Sequence, residues 1–239
     1  MAGADDAVSL AELVDERRHL LAVACWLPGS GREAERVIDE AYRQWFGLPE
    51  AERNRIEEPR VWLCRAVGGA CLSRPASPGQ RGASADEVGG VLPDPSSPAD
   101  GARRSLRARR GRPTSAEEHD TVVRAVREAC ACEDERRLAS LLAADAAAFF
   151  DGGGKVRTLV RPVEGDVPVA RSLLTLLARQ PRTTLATHAV NGRTGLVVRY
   201  DRQVAAVISL DVVGPHVVHV WVTLNPDKLR TWNHTVRSR

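Results

Sequence analysis

The sequence predicts an all-α helical bundle followed by an α+β domain, and three observations support this fold class. Apolar residues recur at helical spacing in the first third of the chain, whereas they alternate with polar residues over much of the last sixty. Between these parts Pro, Gly, Ser and Arg dominate, which is typical of a linker. We therefore expect a helical domain over residues 1–76, a linker over 77–113 and an α+β domain over 114–239.

Three amphipathic helices are predicted in the first domain. Ser9 with Glu12 and Ser30 with Glu33 have the spacing of capping boxes, and an apolar stripe follows each. Pro59 is a favoured first-turn residue and starts the third helix. The clearest stripe belongs to the second helix and consists of Ala34, Val37, Ile38, Ala41, Tyr42 and Trp45.

The second domain is predicted to place helices before a curved antiparallel sheet. Ser115 with Glu118 caps one helix, and a second helix carries Leu138, Leu141 and Leu142. The remaining predicted elements are a loop over 151–155, a strand over 156–160, a helix over 167–179, and strands over 183–190, 194–200, 203–211 and 216–224, with a hairpin turn at Asn191-Gly192.

Composition excludes several classes of protein. A hydrophobic fraction of 43% is ordinary for a folded chain, so general disorder is excluded. The apolar runs fall far short of the roughly 20 residues that a membrane span needs, and the acidic first residues do not fit a signal peptide. We expect a cytoplasmic protein with no membrane partner. The five cysteines are expected to pack as small apolar residues, with no metal or other cofactor.

Several motifs, taken in order along the chain, resemble one known family. They are GREAERVIDEAYRQW (31–45), PRVWLCRAVGGACLSR (59–74), VLPDP (91–95), DGGGK (151–155) and NPDKL (225–229). They are similar to motifs of extracytoplasmic-function sigma factors that carry a SnoaL-like C-terminal domain. The resemblance implies a sigma-region-2-like bundle and a SnoaL-like α+β cone. The layout also resembles that of sigma-like developmental regulators of actinobacteria.

The chain departs from that family in two ways. The family places a helix-turn-helix domain between the linker motif and the C-terminal domain, but only about twenty residues separate Pro95 from Ser115. The polymerase-docking helix has Arg36 and Asp39 at two altered positions, and Pro75 ends the promoter-melting helix early. The sequence therefore favours a regulator that binds DNA, core RNA polymerase or another protein, and that cannot act alone as a sigma factor.

The candidate DNA- or polymerase-binding residues lie on the predicted helices and at the end of the linker. Solvated arginines are the alternative interpretation for most of them. The candidates are Arg36, Asp39, Arg60, Arg65, Arg74, Arg103, Arg104, Arg107, Arg109 and Arg110.

The DGGGK and NPDKL motifs have two interpretations. They can be simple turns, in which glycines supply positive φ angles. The family resemblance implies instead that they hold the C-terminal domain against the linker and the N-terminal helices. The candidate interdomain residues are Asp151, Gly153, Lys155, Asn225, Asp227 and Lys228.

The alternative function is that of an enzyme or a small-molecule binder. Candidate acid–base residues are sparse, namely His188, His219, Asp151 and Asp211, and no two of them can be paired with an expected common cavity. Strand alternation places His219 and Trp221 on the face opposite the aliphatic residues, where a homodimer interface is expected. We expect no catalytic residues, and a small hydrophobic molecule as the ligand if the pocket is used.

Overall fold

Four helices form the N-terminal part of the computed structural model, which describes residues 8–25, 31–72 and 114–234. Their apolar stripes meet in a common core that includes Leu20, Ile38 and Leu63, and the rings of Trp45 and Trp62 pack edge to face with centroids 5.4 Å apart. The helices are α1 (Leu10–Cys25), α2 (Gly31–Gly47), α3 (Glu50–Arg53) and α4 (Pro59–Leu72).

The C-terminal unit, residues 114–234, combines four helices with one six-stranded sheet. Ser115 caps the first of these helices in a complete capping box with Glu118. The elements are α5 (Ala116–Ala131), α6 (Glu135–Ser140), β1 (Leu142–Asp151), β2 (Val163–Glu164), α7 (Asp166–Leu176), β3 (Thr183–Val190), β4 (Arg193–Tyr200), β5 (Gln203–Val213), β6 (His216–Thr223) and α8 (Pro226–His234). The prediction of helices followed by a curved sheet with packed helices is confirmed.

The sheet has the order β2-β1-β6-β5-β4-β3 and is mixed, which corrects the expectation of a wholly antiparallel sheet. Strand β1 runs parallel to β6, and Asp151 at the end of β1 pairs with Thr223 at the end of β6. The intervening chain includes α7 and four strands, so it is long enough for the crossover that parallel pairing needs. The residues that follow β1 and β6 consequently meet at one edge of the sheet.

Two element predictions are wrong: Leu142 begins β1 instead of continuing a helix, and residues 156–160 form no strand. The NPDKL motif, for which a turn and an interdomain contact were both open, leads into α8 (Pro226–His234). The sequence of β1 is rich in alanine, which has low strand propensity, so tertiary pairing with β6 decides its conformation. Within the residues that the structure describes, no helix is long and apolar enough to span a membrane.

Candidate interface between the N-terminal helices and the C-terminal unit

Helix α1 contributes to two apolar cores. Leu10 and Leu13 are 1% and 2% exposed and belong to the main core of the C-terminal unit, beside residues such as Leu173 and Val222. About two to three turns further along α1, Leu20 is fully buried in the core of the N-terminal helices. The two parts of the chain therefore share a helix, and residues from α1 fill space inside the C-terminal unit.

A buried carboxylate separates the two apolar halves of α1. Glu16 is 2% exposed and accepts hydrogen bonds from the Tyr42 hydroxyl at 3.2 Å and from Arg157 Nη2 at 3.2 Å. Tyr42 lies on α2, and Arg157 lies in the segment that follows β1. Burial raises the pKa of Tyr42 above its ordinary value, and the neighbouring Glu16 charge raises it further. Tyr42 therefore stays a neutral donor to Glu16.

Arg17 extends this contact to the DGGGK motif. One of its guanidinium nitrogens donates to the Lys155 carbonyl at 3.0 Å, and another is 2.5 Å from Glu35 on α2. Its side chain is 11% exposed. A single arginine of α1 thus connects α2 with the loop that follows β1.

Arg18 joins α1 to the turn between β4 and β5. It lies 2.5 Å from Asp201, and its guanidinium lies over the Tyr200 ring at 5.3 Å from the ring centroid. Arg182 approaches the same ring at 4.6 Å. The Tyr200 hydroxyl donates to Asp15 on α1 at 2.7 Å. This cluster fixes the outer side of α1 to the sheet.

The DGGGK and NPDKL motifs lie against each other at the β1–β6 edge. Lys228 Nζ is 2.7 Å from Asp151 Oδ2, and Asp151 also accepts a hydrogen bond from the Gly153 amide at 2.9 Å. Gly153 has φ +61°, and a Cβ atom there would overlap the side-chain amide of Asn225. Gly153 thus satisfies two requirements at once, a left-handed conformation and a close approach to Asn225.

Lys155 connects these motifs to α2. Its Nζ atom is 2.9 Å from Asp39 Oδ2 and 2.8 Å from Asp227 Oδ2. Burial alone would lower the pKa of Lys155, but the hydrogen bonds to Asp227 and Asp39 raise it above its ordinary value. The hydrogen bond from Lys155 lowers the pKa of Asp227. Lys155 therefore carries its positive charge between two carboxylates, one from each part of the chain.

The remaining candidate binding residues are divided between exposed helix surface and undescribed chain. Arg36 is exposed on α2, and Arg60 and Arg65 are exposed on α4. With His19 of α1, these two α4 arginines flank a shallow groove that Cys64 also lines. The predicted linker, and the candidates Arg74, Arg103, Arg104, Arg107, Arg109 and Arg110, lie outside the described residues.

The candidate acid–base residues do not meet in a common cavity. His188 is exposed on β3, with its ring 5.3 Å from that of Trp232. His219 and Asp211 approach each other, with Nδ1 and Oδ2 3.7 Å apart, on the sheet face opposite the main core. Trp221 donates to Asp211 at 2.8 Å; burial would raise the pKa of Asp211, but its hydrogen bonds with His219 and Trp221 lower it.

The side chains of β6 alternate between the two faces of the sheet as expected only from His219 onward, after a shift of register. Val220, Val222 and Leu224 lie in the main core, but Val217 joins them instead of Val218. The register between β5 and β6 shifts between Asp211 and Val212, which exchanges the faces of the residues that precede His219. Among the described residues, no group of three His, Cys, Asp or Glu side chains is placed to hold a metal ion.

Sequence reasoning missed most of the contact residues on α1. Asp15, Glu16, Arg17 and Arg18 form a charged run that separates the apolar halves of the helix. A run of four charges that interrupts an apolar stripe is a signal of a partner with its own charges. This charged run could not identify Arg157 as the partner of Glu16, because the two residues are 141 positions apart in the sequence.

No protein-family model matches the chain, and no curated protein matches it. Among solved structures, the extracytoplasmic-function sigma factor SigJ of Mycobacterium tuberculosis shows 24% identity with a TM-score of 0.39, covering 92% of this chain and 98% of that chain. An NTF2-like protein of Burkholderia xenovorans shows 17% identity and a TM-score of 0.37, covering 50% and 98%. An LEH-like epoxide hydrolase of M. tuberculosis shows 14% identity and a TM-score of 0.33, covering 50% and 92%. All three TM-scores are below 0.5, and no property of these proteins is carried over to this chain.

Proposed function

We propose that this chain is a sigma-factor-like regulator that acts by binding, with its C-terminal unit controlling what the N-terminal helices can contact. The observation that carries the proposal is the ion pair between Lys155 and Asp39. Asp39 stands at a position that the family resemblance assigns to polymerase docking. In this structure the C-terminal unit pairs with that position.

The altered docking face supports weak binding of polymerase while Lys155 is paired with Asp39. Asp39 Oδ2 is held by Lys155, and Arg36 presents a positive charge where the family motif has an acidic residue. A reversed charge in a docking face costs affinity and disfavours the ordinary partner. Release of Asp39 from Lys155 would expose one acidic group on that face.

A pull-down with core RNA polymerase tests this idea. Lys155→Met removes the charge that holds Asp39 and is expected to increase polymerase capture several-fold over the wild type. Lys228→Met is the matched control, because Lys228 pairs with Asp151 inside the C-terminal unit. Equal capture by Lys155→Met and Lys228→Met would contradict control through Asp39, and absence of polymerase from every sample would overturn the polymerase contact.

The α1–α4 groove supports a second, sequence-independent contact with DNA. Arg60, Arg65 and His19 are exposed around it, and the described part of its lining contains no acidic residue. Phosphate contacts of this kind give affinity that falls steeply with salt. We expect equal affinity for two unrelated duplexes, and we expect the double change of Arg60 and Arg65 to Met to lower the salt slope by about 2. Unequal affinities with a flat salt dependence would contradict the proposal.

The proposal includes the inability to act alone at a promoter. The spacing from Pro95 to Ser115 leaves no room for a recognition domain, and a lost recognition helix is a large loss of binding free energy. We expect no discrete run-off transcript from core polymerase with this protein as the sole added factor. A discrete promoter-dependent product would overturn this part of the proposal.

A catalytic role is less well supported by the described residues. Leu10 and Leu13 fill space in the core of the C-terminal unit, and the close pair of His219 and Asp211 faces away from that core. General acid–base catalysis needs two such groups around one substrate cavity. The proposal therefore treats the C-terminal unit as a binding and regulatory part of the protein.

Self-association through the sheet is the last element of the proposal. Phe149 and Trp221 stack with ring centroids 4.3 Å apart on the face opposite the main core, and both are half-buried. Aromatic residues of this kind are common at interfaces. We expect a homodimer in sedimentation equilibrium, weakened by Trp221→Lys and unaffected by Val61→Lys on α4. A monomeric wild type would contradict it.

A further inference from the structure

The contact between α1 and the C-terminal unit leaves an open cleft of about 210 Å³. One wall belongs to α1 and the other to β5, α8 and the end of β6. Its volume equals that of about seven water molecules, so it accepts a ligand of roughly seven to ten non-hydrogen atoms. The apolar part of the lining includes Leu13, Val14, Leu21, Val204, Leu224 and Leu229.

The charge of the cleft is positive. Of the described residues that line it, only Arg17 and Arg18 carry a formal charge, and none is a carboxylate. The carboxylates that orient these guanidiniums, Glu35 and Asp201, lie outside the lining. Each arginine has further N–H donors, and the exposed amide of Gln203 adds another at the rim. An apolar cleft with N–H donors and positive charge at its rim is complementary to a molecule with an apolar tail and an anionic head.

A second, smaller cavity of about 20 Å³ adjoins the cleft. Leu13 and Leu224 line both the cleft and this cavity. Ser172 lines it, is fully buried, and its hydroxyl has no hydrogen-bond partner among the described residues. A space of this size holds about one water molecule.

We propose that the cleft is a binding site for an amphipathic carboxylate with an unbranched chain of about eight carbons, the carboxyl carbon included. The tail packs between Val14 and Leu229, and the carboxylate accepts hydrogen bonds from Arg18 at the rim. Since the ligand contacts both walls, it binds the closed arrangement in preference to one in which α1 has separated. By linkage, its binding strengthens the hold of the C-terminal unit on α1.

Octanoate is the probe, and octan-1-ol, with the same number of carbons and no charge, is the comparison. Calorimetric titration of the full chain is expected to give saturable one-to-one binding of octanoate, several-fold tighter than binding of octan-1-ol. This measurement uses no polymerase and no DNA, so its failure is distinguishable from failure of the proposed regulatory function. Absence of saturable octanoate binding would overturn the site.

Two variants locate the binding. Val14→Phe fills the cleft and is expected to weaken octanoate at least ten-fold, whereas Val61→Phe, on the exposed face of α4, is the matched control. Should Val14→Phe not fold, Val14→Leu adds a single methylene and serves the same purpose with a smaller effect. Equal loss in the Val14 and Val61 variants would indicate non-specific binding and contradict the site.

A second pair of variants tests the carboxylate. Arg18→Met is expected to remove the preference for octanoate over octan-1-ol while leaving octan-1-ol binding unchanged. Arg171→Met is the control, because Arg171 is also exposed and also ion-paired, to Glu135 on α6. Octanoate is also expected to slow hydrogen exchange of the α1 amides. Faster exchange of α1 in the presence of octanoate would overturn the proposed strengthening of the contact.

Discussion

The C-terminal unit contacts the N-terminal helices in two physically different ways. At the beginning of α1, Leu10 and Leu13 are nearly fully buried in its core. At α2, Lys155 forms an ion pair with Asp39 in which both side chains remain about a quarter exposed. A buried leucine stabilises by about 1.5–3 kcal/mol, whereas a partly exposed ion pair contributes about 0–1 kcal/mol.

This difference assigns different tasks to the two contacts. The leucines hold α1 in place at all times, because exposing them costs several times the thermal energy. The lysine contact is weak enough for salt, a partner or a competing charge to open it. A regulated surface on α2 can therefore be uncovered while α1 remains docked, and each variant below affects one side of this comparison.

The largest effect is expected from Leu13→Ala, which removes an apolar contact shared between the two parts. We expect a loss of about 2–5 kcal/mol in the free energy of unfolding, measured by urea denaturation. Leu20→Ala is the matched change in the core of the N-terminal helices and is expected to cost a similar amount.

Hydrogen exchange distinguishes these two leucine variants. Leu13→Ala should accelerate exchange in β5, which packs against α1, and in α7, whose Leu176 lines the same small cavity as Leu13. Leu20→Ala should act first on α2 and α4. If Leu13→Ala left the C-terminal unit unaffected, α1 would not belong to that core.

An intermediate effect is expected at Glu16, where a charge is buried and paired. Glu16→Gln leaves Arg157 without its carboxylate and weakens the hydrogen bond from Tyr42. We expect a loss of about 2 kcal/mol, typical of a hydrogen bond to a charged group. The exposed Glu57→Gln is the control, with an expected change within about 0.5 kcal/mol. A double-mutant cycle with Arg157→Met that gave no coupling would contradict the assignment of this pair.

A smaller effect is expected at the glycines that shape the loop before Lys155. Gly153 and Gly154 both have positive φ, but a Cβ atom is obstructed only at Gly153, by Asn225. Gly154→Ala is therefore expected to cost about 1 kcal/mol of conformational strain, and Gly153→Ala clearly more. Comparison of the two variants by urea denaturation isolates the steric contact with Asn225. Equal costs would show that Asn225 moves aside.

The sequence predicted the elements whose pattern is local and regular. The stripes of α2 and α4, the capping box at Ser115, and strands β3 to β6 lie within a few residues of their predicted positions. The main failure is β1, half of whose residues are alanine, and which becomes a strand through its parallel pairing with β6.

The candidate site was less predictable, for the same reason. The proximity of the DGGGK and NPDKL motifs follows from the parallel β1–β6 pair, which brings Asp151 and Thr223 side by side at one edge. Strand alternation carries no information about which strand lies beside which, or in what direction. Similarly, the charged run from Asp15 to Arg18 divides the apolar stripe of α1, but it does not indicate which core Leu13 and Leu20 each belong to.

The smallest effect is expected at the Lys155–Asp39 pair. A double-mutant cycle of Lys155→Met and Asp39→Asn should give a coupling of about 0.5–1 kcal/mol at low salt, because both side chains are partly exposed. In 1 M salt the coupling should nearly vanish, since the screening length is then about 3 Å. A coupling unchanged by salt would contradict the weak, reversible character assigned to this contact.

The pH dependence of the Lys155 contact follows from two pKa shifts of opposite sign. The folded chain raises the pKa of Lys155 above its ordinary 10.5, so this contribution is fully present below pH 10.5 and is lost as the pH rises through the folded value. The folded chain lowers the pKa of Asp227 below its ordinary 3.8, so that contribution is present above pH 3.8 and is lost as the pH falls through the lower folded value. The stability difference between wild type and Lys155→Met should therefore be constant between about pH 5 and pH 9 and shrink outside that range. Urea denaturation across this range measures it, with Lys228→Met as the control; a difference that changes between about pH 5 and pH 9 would mean that another titrating group, not these two, controls the contact.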